Sequence, residues 1–323
     1  MKNKMMERYS RQILLSEIGS EGQKQLHASK VVVVGVGALG TVATELLVRA
    51  GVENLTLIDR DVVEESNLQR QMLFTEKDIG RSKAIVAQEK LQLINSRTDI
   101  IAQPVSLHSG NIALLQSAEV VLDCTDNIQT RLLINDFCKK EKIVWIYAAA
   151  IRTAGYVMPI VPEGPCLRCF LQETGAETCD TVGVLNTITT AIASMQVTLA
   201  LQFLLGQTIE PNLIYYDIWK QHYKNIVVKK NKNCPACQGK YEFLGKKEPI
   251  RMVKFCSLGR YQVTGKKVDL KILKQRWEKI DTVIDDGKTL QFKDLFLFED
   301  GRALIKAKSE AEAMSLYAKW VEN

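Results

Sequence analysis

The sequence has few histidines and no uninterrupted apolar run long enough to span a membrane. Its three histidines, His27, His108 and His222, stand in no recognisable catalytic pattern. The longest apolar stretch, residues 184–205, is interrupted by polar side chains, which is typical of a buried or interface helix. The first ten residues are polar and no apolar stretch follows them, so no secretory signal is indicated. We therefore expect a cytoplasmic protein that does not span or bind a membrane.

The composition is that of an ordinary globular protein, without repeats or low-complexity tracts. Of its 323 residues, 46% are hydrophobic and 25% charged, and the length suits one large domain and one small one. The net charge of +6 is modest. Lysine and arginine accumulate between residues 220 and 254, where a solvated surface and a contact for an acidic protein or nucleic acid are alternatives. We expect no nucleic-acid partner.

Strands and helices alternate through the first 150 residues. An apolar strand over 31–34 leads through a glycine-rich turn to a helix from Thr41 to Ala50, which ends at Gly51. Further strands are predicted over 55–58, 120–122 and 143–146, and further helices over 83–94 and 129–140. This alternation predicts an α/β fold with a doubly wound, mainly parallel sheet.

Beyond Gly155 the pattern changes to short strands around the long helix at 184–205. These strands, over 156–161, 213–216 and 225–228, predict an antiparallel extension of the sheet. A charged linker then leads to strands near 251–256, 260–264 and 295–306 and to helices near 269–280 and 309–321. We therefore expect two domains, residues 1–245 and 246–323, the second a small α+β module.

The turn after the first strand has a nucleotide-binding pattern. Gly35, Gly37 and Gly40 form G-x-G-x-x-G between a strand and a helix, where backbone N–H groups and the helix dipole favour a phosphate. Asp59 lies where a ribose-binding acid belongs. Alone, this pattern is typical of an NAD-dependent oxidoreductase, and the scarcity of histidine argues only mildly against that alternative.

The residues that follow favour a triphosphate over a nicotinamide. Arg70 and Lys83 supply positive charge, Asn67 and Gln71 offer amides, and Asp126 follows a strand where it could bind Mg²⁺. A carboxylate is already ionised at neutral pH, so its attack on ATP requires placement and charge neutralisation but no general base. These residues predict ATP-dependent activation of a carboxylate, with surface cations as the alternative for Arg70 and Lys83.

Six motifs, in order over about residues 5–240, resemble those of the ThiF/MoeB/HesA family, bacterial relatives of ubiquitin-activating enzymes. They are Arg8-Tyr9-Ser10-Arg11-Gln12, Gly35–Gly40, Asp59-Arg60-Asp61, Ser66–Gln71, Gly80–Ala84 and Asp123-Cys124-Thr125-Asp126-Asn127. The resemblance implies a Rossmann-like domain that adenylates the C-terminal Gly-Gly carboxylate of a ubiquitin-like sulfur carrier of the ThiS or MoaD type. A sulfur donor such as a cysteine desulfurase would then supply sulfur for thiamin or molybdopterin biosynthesis.

The family pattern also implies residue roles. Asp59 binds the ribose, Asp126 binds Mg²⁺, and Arg11 reaches the nucleotide of a neighbouring subunit, which implies a homodimer. The nucleotide-binding set is Gly35, Gly37, Gly40, Asp59, Asp61, Asn67, Arg70, Gln71, Lys83, Asp126 and Asn127. The catalytic set is Arg11, Arg70, Lys83, Asp126 and Cys179.

Two C-x-x-C pairs predict a metal site. Cys166 with Cys169, and Cys234 with Cys237, can each supply two thiolates to a tetrahedral Zn²⁺. A closed four-sulfur site leaves no position for substrate, so we expect a structural zinc that joins the sheet extension to the end of the main domain. A redox pair is the alternative.

Three of the remaining cysteines, Cys124, Cys138 and Cys256, are expected to be small core residues. Cys179 lies in a polar segment and matches the family cysteine that forms an acyl-disulfide with the carrier in thiamin-pathway members. The alternative for Cys179 is a bystander thiol.

The C-terminal module does not resemble the rhodanese domain of sulfur-transferring relatives. It resembles a short tail of some ThiF/MoeB proteins, including the motif from Asp300 to Lys306. Carrier docking and dimer stabilisation are alternative roles. For the whole chain, a catalytically silent, zinc-stabilised scaffold that binds a ubiquitin-like partner is a further alternative.

Overall fold

The computed structural model describes residues 7–171, 182–245, 252–254 and 260–322, within which an eight-stranded sheet forms the main layer. The strands of this sheet are β1 (Lys30–Val34), β2 (Asn54–Ile58), β3 (Asp99–Gln103), β4 (Val120–Asp123), β5 (Val144–Ile151), β6 (Ala154–Ile160), β7 (Asn212–Asp217) and β8 (His222–Val227). Their order is β3-β2-β1-β4-β5-β6-β7-β8. β1 to β5 are parallel, whereas β6, β7 and β8 each pair antiparallel to the strand before. The predicted fold class is confirmed.

Helices cover both faces of this sheet. They are α1 (Ser10–Ile13), α2 (Gly19–Ala28), α3 (Ala38–Ala50), α4 (Lys83–Ile94), α5 (Ile128–Glu141) and α6 (Asn186–Leu204). Alternate residues of β1 point to opposite faces: Val31 and Val33 join the core formed with α3, α4 and α6, while Val32 and Val34 join the core formed with α5. The apolar run of β1 is therefore buried on both sides, as a central parallel strand requires.

Helix α6 is the one helix among the described residues that is long and apolar enough, by length and composition, to cross a membrane. In the structure it packs against α3, β5 and β6. Its buried Gln196 donates hydrogen bonds to the carbonyl oxygens of Asp123 at 2.9 Å and Ile146 at 2.8 Å. These contacts are those of a core helix.

The C-terminal module contains a second, antiparallel sheet. Its strands are β9 (Met252–Lys254), β10 (Arg260–Thr264), β11 (Val283–Asp285), β12 (Thr289–Phe292), β13 (Leu295–Phe298) and β14 (Arg302–Lys306), and its helices are α7 (Leu270–Trp277) and α8 (Glu310–Tyr317). Their order in the sheet is β11-β12-β13-β14-β10-β9. Trp277 stacks on Phe292 in the core, with ring centroids 4.9 Å apart. An α+β module is therefore present, whereas the predicted boundary at residue 246 borders residues outside the described ranges and stays a prediction.

Two details of the predicted strands were wrong. Residues 295–306 form a hairpin of two strands, because Gly301 turns the chain with a φ of +83° at a point where a Cβ atom would lie 1.9 Å from the Lys266 carbonyl oxygen. The edge strand β3 and the short strands β11 and β12 were not predicted, since none contains a long apolar run.

Candidate active site

A cavity of about 310 Å³ lies at the carboxyl ends of β1, β2 and β4, beside the N-terminus of α3. The strand order reverses here, because β2 and β4 lie on opposite sides of β1, and open α/β sheets bind ligands at such switch points. The predicted nucleotide-binding residues that line it are Gly35, Gly37, Asp59, Asp61, Arg70, Gln71, Lys83, Asp126 and Asn127. Gly40, Asn67 and Arg11 are not among the lining residues.

The three glycines of the turn have different structural roles. Gly35 has a φ of +90°, and a Cβ atom there would lie 2.7 Å from the Cys124 carbonyl oxygen. A Cβ atom on Gly40 would lie 1.9 Å from the Gly35 carbonyl oxygen, so Gly40 permits close packing of α3 on the turn. At Gly37 the nearest atom is the Gln71 side-chain nitrogen at 3.8 Å. Gly37 therefore leaves space on the cavity side that a phosphate could occupy.

Asp59 joins the end of β2 to the glycine-rich turn. Its Oδ2 accepts a hydrogen bond from the Val36 N–H at 2.6 Å, and its Oδ1 accepts one from the Asp61 N–H at 2.7 Å. Burial raises the pKa of the Asp59 carboxyl, an effect that the nearby positive charge of Lys83 opposes. The carboxylate is thus fixed in direction by two backbone donors, and Asp59 lines the cavity with lone pairs still available to accept.

Lys83 and Asp61 form an ion pair at the cavity wall. Lys83 begins α4 and is buried, and its Nζ lies 3.8 Å from Asp61 Oδ2. Burial alone would raise the pKa of Asp61, but the positive charges of Lys83, Arg60 and Arg302 outweigh it and lower that pKa. Asp61 is therefore ionised at neutral pH, and it holds the Lys83 ammonium in the cavity.

The segment between Ser66 and Gln71 supplies a cation and an amide. The Arg70 Nη1 donates to the Ser66 carbonyl oxygen at 2.9 Å, which leaves other guanidinium donors for a ligand in the cavity that Arg70 lines. Gln71 is buried, and its Oε1 has no hydrogen-bond partner among the described residues. Asn67 accepts a hydrogen bond from the Glu64 N–H at 3.1 Å, so its side chain fixes the local turn.

Asp126 and Asn127 follow β4 at the far side of the cavity. Asp126 is exposed and lines the cavity, where its carboxylate could bind a cation. The Asn127 side-chain oxygen accepts hydrogen bonds from the N–H groups of Gln129 and Thr130, so it caps α5. Asn127 therefore lines the cavity, but its side-chain oxygen is already used in capping the N-terminus of α5.

A half-buried arginine of the site was not predicted from the sequence. The Arg131 Nε lies 3.5 Å from Asp123 Oδ2, and its Nη2 donates to the Ala148 carbonyl oxygen at 3.2 Å. Burial raises the pKa of Asp123, and the positive charge of Arg131 opposes that effect. Ser106, Tyr147, Tyr156 and Thr189 also line the cavity, and no motif in the sequence marks them.

The structure gives different outcomes for the other predicted residues. Arg11 is exposed on α1, outside the lining of the cavity of its own chain. Cys179 and Cys256 lie outside the described residues. Cys124 and Cys138 are buried, and burial raises the pKa of both thiols, so their prediction as core residues is confirmed. Cys124 also lines the cavity, with its thiol donating to the Gln196 side-chain oxygen.

The four cysteines of the two C-x-x-C pairs come together as one cluster. All of their sulfur atoms lie within 4.8 Å of one another. The sulfur atoms of Cys166 and Cys234 are 3.6 Å apart, and those of Cys169 and Cys237 are 3.5 Å apart. Ligands of a tetrahedral metal with bonds of about 2.3 Å would be roughly 3.8 Å apart. The cluster therefore fits a tetrahedral metal ion, and it joins the segment after β6 to the segment after β8.

Comparisons with known proteins agree with this architecture. The ThiF family model matches residues 9–236. A sulfur carrier protein ThiS adenylyltransferase of Bacillus subtilis is 37% identical over 98% of this chain and 100% of its own length. The ThiS adenylyltransferase of Escherichia coli is also 37% identical, over 72% of this chain and 95% of its own length. The alignment with the Bacillus protein thus extends through the C-terminal module.

Solved structures show the same fold. The crystal structure of E. coli MccB with ATP superposes with a TM-score of 0.63 at 21% identity, covering 72% of this chain and 74% of that one. The family model covers more than half of the chain, so the chain belongs to the ThiF family.

Proposed function

We propose that this member of the ThiF family is an ATP-dependent adenylyltransferase that activates the C-terminal Gly-Gly carboxylate of a ubiquitin-like sulfur carrier. The similarity to two ThiS adenylyltransferases over most of their lengths supports this reaction and favours a thiamin-type carrier over a molybdopterin-type one. The product would be a carrier acyl-adenylate and pyrophosphate.

One observation carries the proposal: a single cavity brings together the glycine-rich turn, the cations Arg70 and Lys83, and the carboxylate of Asp126. Arg70 and Lys83 lie where positive charge would neutralise the phosphates, and the N-terminus of α3 adds free N–H groups. Asp126 is the residue that would hold Mg²⁺, which when bound neutralises further phosphate charge. No general base is needed, because the attacking carboxylate is already ionised.

The same cavity has a place for the nucleoside. The Asp59 carboxylate, at the end of β2, accepts hydrogen bonds from two backbone N–H groups, and a ribose hydroxyl could donate to the lone pairs of this carboxylate that remain. Ile58, Val105 and Leu107 form an apolar part of the lining beside it, which suits an adenine ring. None of the three histidines lines the cavity, and the oxidoreductase alternative gains no support from its residues.

The cysteine cluster would hold a structural Zn²⁺. Four sulfur ligands close the coordination shell, so the ion would have no open position for substrate. Its bond to both C-x-x-C segments would fix the antiparallel extension, β6 to β8, at the end of the main sheet.

We also propose a homodimer in which Arg11 contributes to the partner's site. Arg11 is exposed and lies away from its own cavity, and the residues that follow it, Leu14 and Leu15, are apolar side chains that are 75% and 52% exposed. Burial of such a pair against a second copy would be favourable.

The carrier would approach over the antiparallel extension. Tyr156 lines the cavity and contacts Tyr215 on β7, and Ile226 is exposed on the same face of the neighbouring strand β8. This apolar surface continues from the cavity to the edge strand β8, beside the lysines at the start of the basic segment. An acidic partner with an apolar patch would fit there.

Cys179 is proposed to act after adenylation. It lies five residues before Val184, which lines the cavity, so the chain between them can span roughly 17 Å at most. Within that reach, a persulfide of a sulfur donor, such as a cysteine desulfurase, would first displace AMP from the acyl-adenylate and form an acyl disulfide between carrier and donor. The Cys179 thiol would then displace the donor as a free thiol, so that an acyl disulfide joins the carrier to Cys179. We place these reactions in the cytoplasm.

The test is ATP–pyrophosphate exchange with ThiS-type and MoaD-type carriers. We expect exchange with one of them, and Arg70→Ala should reduce it by about a hundredfold, since one preorganised cation contributes on the order of 3 kcal/mol. Cys179→Ala should retain exchange, because the thiol acts later. Wild-type protein that binds a carrier without exchange would support the scaffold alternative, and loss of exchange in the cysteine variant would contradict the role given to Cys179.

A further inference from the structure

A side chain of the C-terminal module is buried against the loops of the nucleotide cavity. Arg302 of β14 is 2% exposed. Its Nη1 donates to the carbonyl oxygen of Arg60 at 2.6 Å, and its Nη2 donates to that of Pro104 at 2.9 Å. The guanidinium carbon lies 3.5 Å from the centre of the Phe298 ring. One guanidinium thus joins two segments of the main domain.

The two carbonyl groups belong to the loops that form one wall of the cavity. Arg60 lies between Asp59 and Asp61 after β2, and Pro104 precedes the lining residues at 105–107 after β3. The guanidinium of Arg302 is planar and rigid, and its two hydrogen-bond donors point in fixed directions. Its two hydrogen bonds therefore fix both the distance between these loops and the orientation of one loop relative to the other.

Other contacts of the module reach the same wall. Val62 packs with Phe296, Phe298 and Leu304 in a small apolar cluster. Arg260 forms an ion pair with Glu64 at 2.9 Å. Asp286 of the module accepts a hydrogen bond at its Oδ2 from the Ser82 N–H at 3.2 Å, and Ser82 directly precedes Lys83 in the main domain. The module therefore contacts both segments that present Asp61 and Lys83.

Burial of this arginine has an electrostatic cost that the site partly offsets. Burial lowers the pKa of Arg302 to about 10, while the negative charges of Asp300, Asp61 and Asp59 act in the opposite direction. The side chain stays charged at neutral pH. Its positive charge therefore interacts with the Asp59 and Asp61 carboxylates of the nucleotide site. A residue that only anchored the module at another point of its surface would have no such interaction.

We propose that Arg302 is a positioning residue for nucleotide binding, through which the C-terminal module holds Asp59, Asp61 and the loop after β3 in their binding geometry. This inference takes one point from the proposed function, namely that the nucleotide bound in the cavity is ATP. The contact itself can be tested in the absence of any ligand.

The experiment compares Arg302→Met and Arg302→Lys in the full chain. The control is Lys267→Met on the same module. The Lys267 side chain is 76% exposed, and its ammonium pairs with Glu299 at the surface. Hydrogen–deuterium exchange without nucleotide should show faster exchange over residues 59–64 and 104–107 in Arg302→Met. The increase should be smaller in Arg302→Lys, because lysine keeps the positive charge but cannot donate in two fixed directions as the guanidinium does. The control should show no increase.

Calorimetric titration with ATP completes the test. We expect the Kd to rise about tenfold or more in Arg302→Met and less in Arg302→Lys, since two charge-assisted hydrogen bonds orient the site. In ATP–pyrophosphate exchange, the KM for ATP should rise while kcat changes by less than about twofold. If the methionine variant does not fold, the lysine variant decides the question by the same measurements.

The outcomes separate the two proposals. Wild-type ATP affinity and loop exchange in a folded Arg302 variant would overturn the positioning role and leave the adenylyltransferase proposal intact. Wild-type protein that binds no ATP would refute the proposed function and the nucleotide role together.

Discussion

The Asp59 carboxylate accepts a 2.6 Å hydrogen bond from the Val36 N–H and so ties the end of β2 to the glycine-rich turn after β1. Its second oxygen accepts from the Asp61 N–H. Both backbone partners are donors, so an amide at this position would place its own NH₂ group against one of them. Asp59 therefore matters to the shape of the site before any ligand binds.

We expect Asp59→Asn to lower the free energy of unfolding by about 1–3 kcal/mol, the cost of leaving a buried donor unsatisfied. The Kd for ATP should rise as well, because the turn would lose its support. Urea unfolding and calorimetric titration measure the two effects. Asp99→Asn, at an exposed position of β3, is the control and should change neither. Unchanged stability in Asp59→Asn would show that the two hydrogen bonds do not hold the turn.

The glycine-rich turn allows a test that separates folding from binding. Gly37→Ala adds a methyl group with no protein atom closer than 3.8 Å, so stability should change by less than about 1 kcal/mol. The methyl group would occupy space beside the cavity, and we expect the Kd for ATP to rise at least tenfold.

Gly40→Ala is the matched variant for the same turn. Its Cβ atom would lie 1.9 Å from the Gly35 carbonyl oxygen, so α3 must move and we expect a loss of about 3 kcal/mol or more. Thermal unfolding of both variants, with ATP titration of the folded one, measures these effects. Normal ATP binding by Gly37→Ala would mean that the phosphates lie elsewhere in the cavity.

Much of the architecture could be predicted because it follows from local patterns. Helix α4 begins at Lys83 and ends at Ile94, which are the predicted bounds, and the C-terminal glycine of α3, Gly51, has the left-handed φ of +93° expected of it. The residues after β1, β2 and β4 meet at one cavity because parallel strands place their carboxyl ends at one edge.

The remaining site residues could not be predicted because they depend on packing between distant segments. Arg131 belongs to the site only because α5 packs so that its guanidinium meets Asp123 at the end of β4. Arg302 lies 242 residues from the carbonyl group that it binds on Arg60, and no local pattern records such a contact. The short strands of the module were missed for the same reason, since their stability comes from neighbours in the sheet.

Asp78 should make stability depend on acid pH. Its Oδ2 accepts hydrogen bonds from the N–H and hydroxyl of Thr75 at 2.7 and 2.8 Å, and Lys90 of α4 donates to the same oxygen. Burial acts to raise the pKa of Asp78, but these hydrogen bonds outweigh it and hold the pKa below the ordinary value of 3.8. The stabilisation is therefore fully present above that value and is lost as pH falls through the lowered native pKa.

We expect Asp78→Asn to cost about 1–2 kcal/mol at pH 7, and this difference from the wild type should shrink as pH falls below about 4. Urea unfolding at a series of pH values measures it. Glu76→Gln, an exposed neighbour in the same turn, is the control and should show no comparable cost. A difference that stays constant down to pH 2 would mean that the ionised carboxylate of Asp78 is not the stabilising group.

The cysteine cluster predicts one tightly bound zinc ion per chain. Four thiolates this close together require a divalent cation to compensate their charge. We expect Cys234→Ser to lose the metal, measured by elemental analysis of protein purified without added zinc, and to unfold at a lower temperature. Cys138→Ala is the control, because this buried thiol lies outside the cluster and its loss should leave the metal content unchanged.

The position of the cluster determines which property should change most. It joins the segments after β6 and β8, whereas the ATP-binding residues lie at the carboxyl ends of β1, β2 and β4. Removal of the metal should therefore weaken carrier-dependent exchange more than ATP binding, since the proposed carrier surface lies on the antiparallel extension. Equal loss of both would show that the cluster supports the whole domain, and a metal-free protein with full stability would refute the metal site.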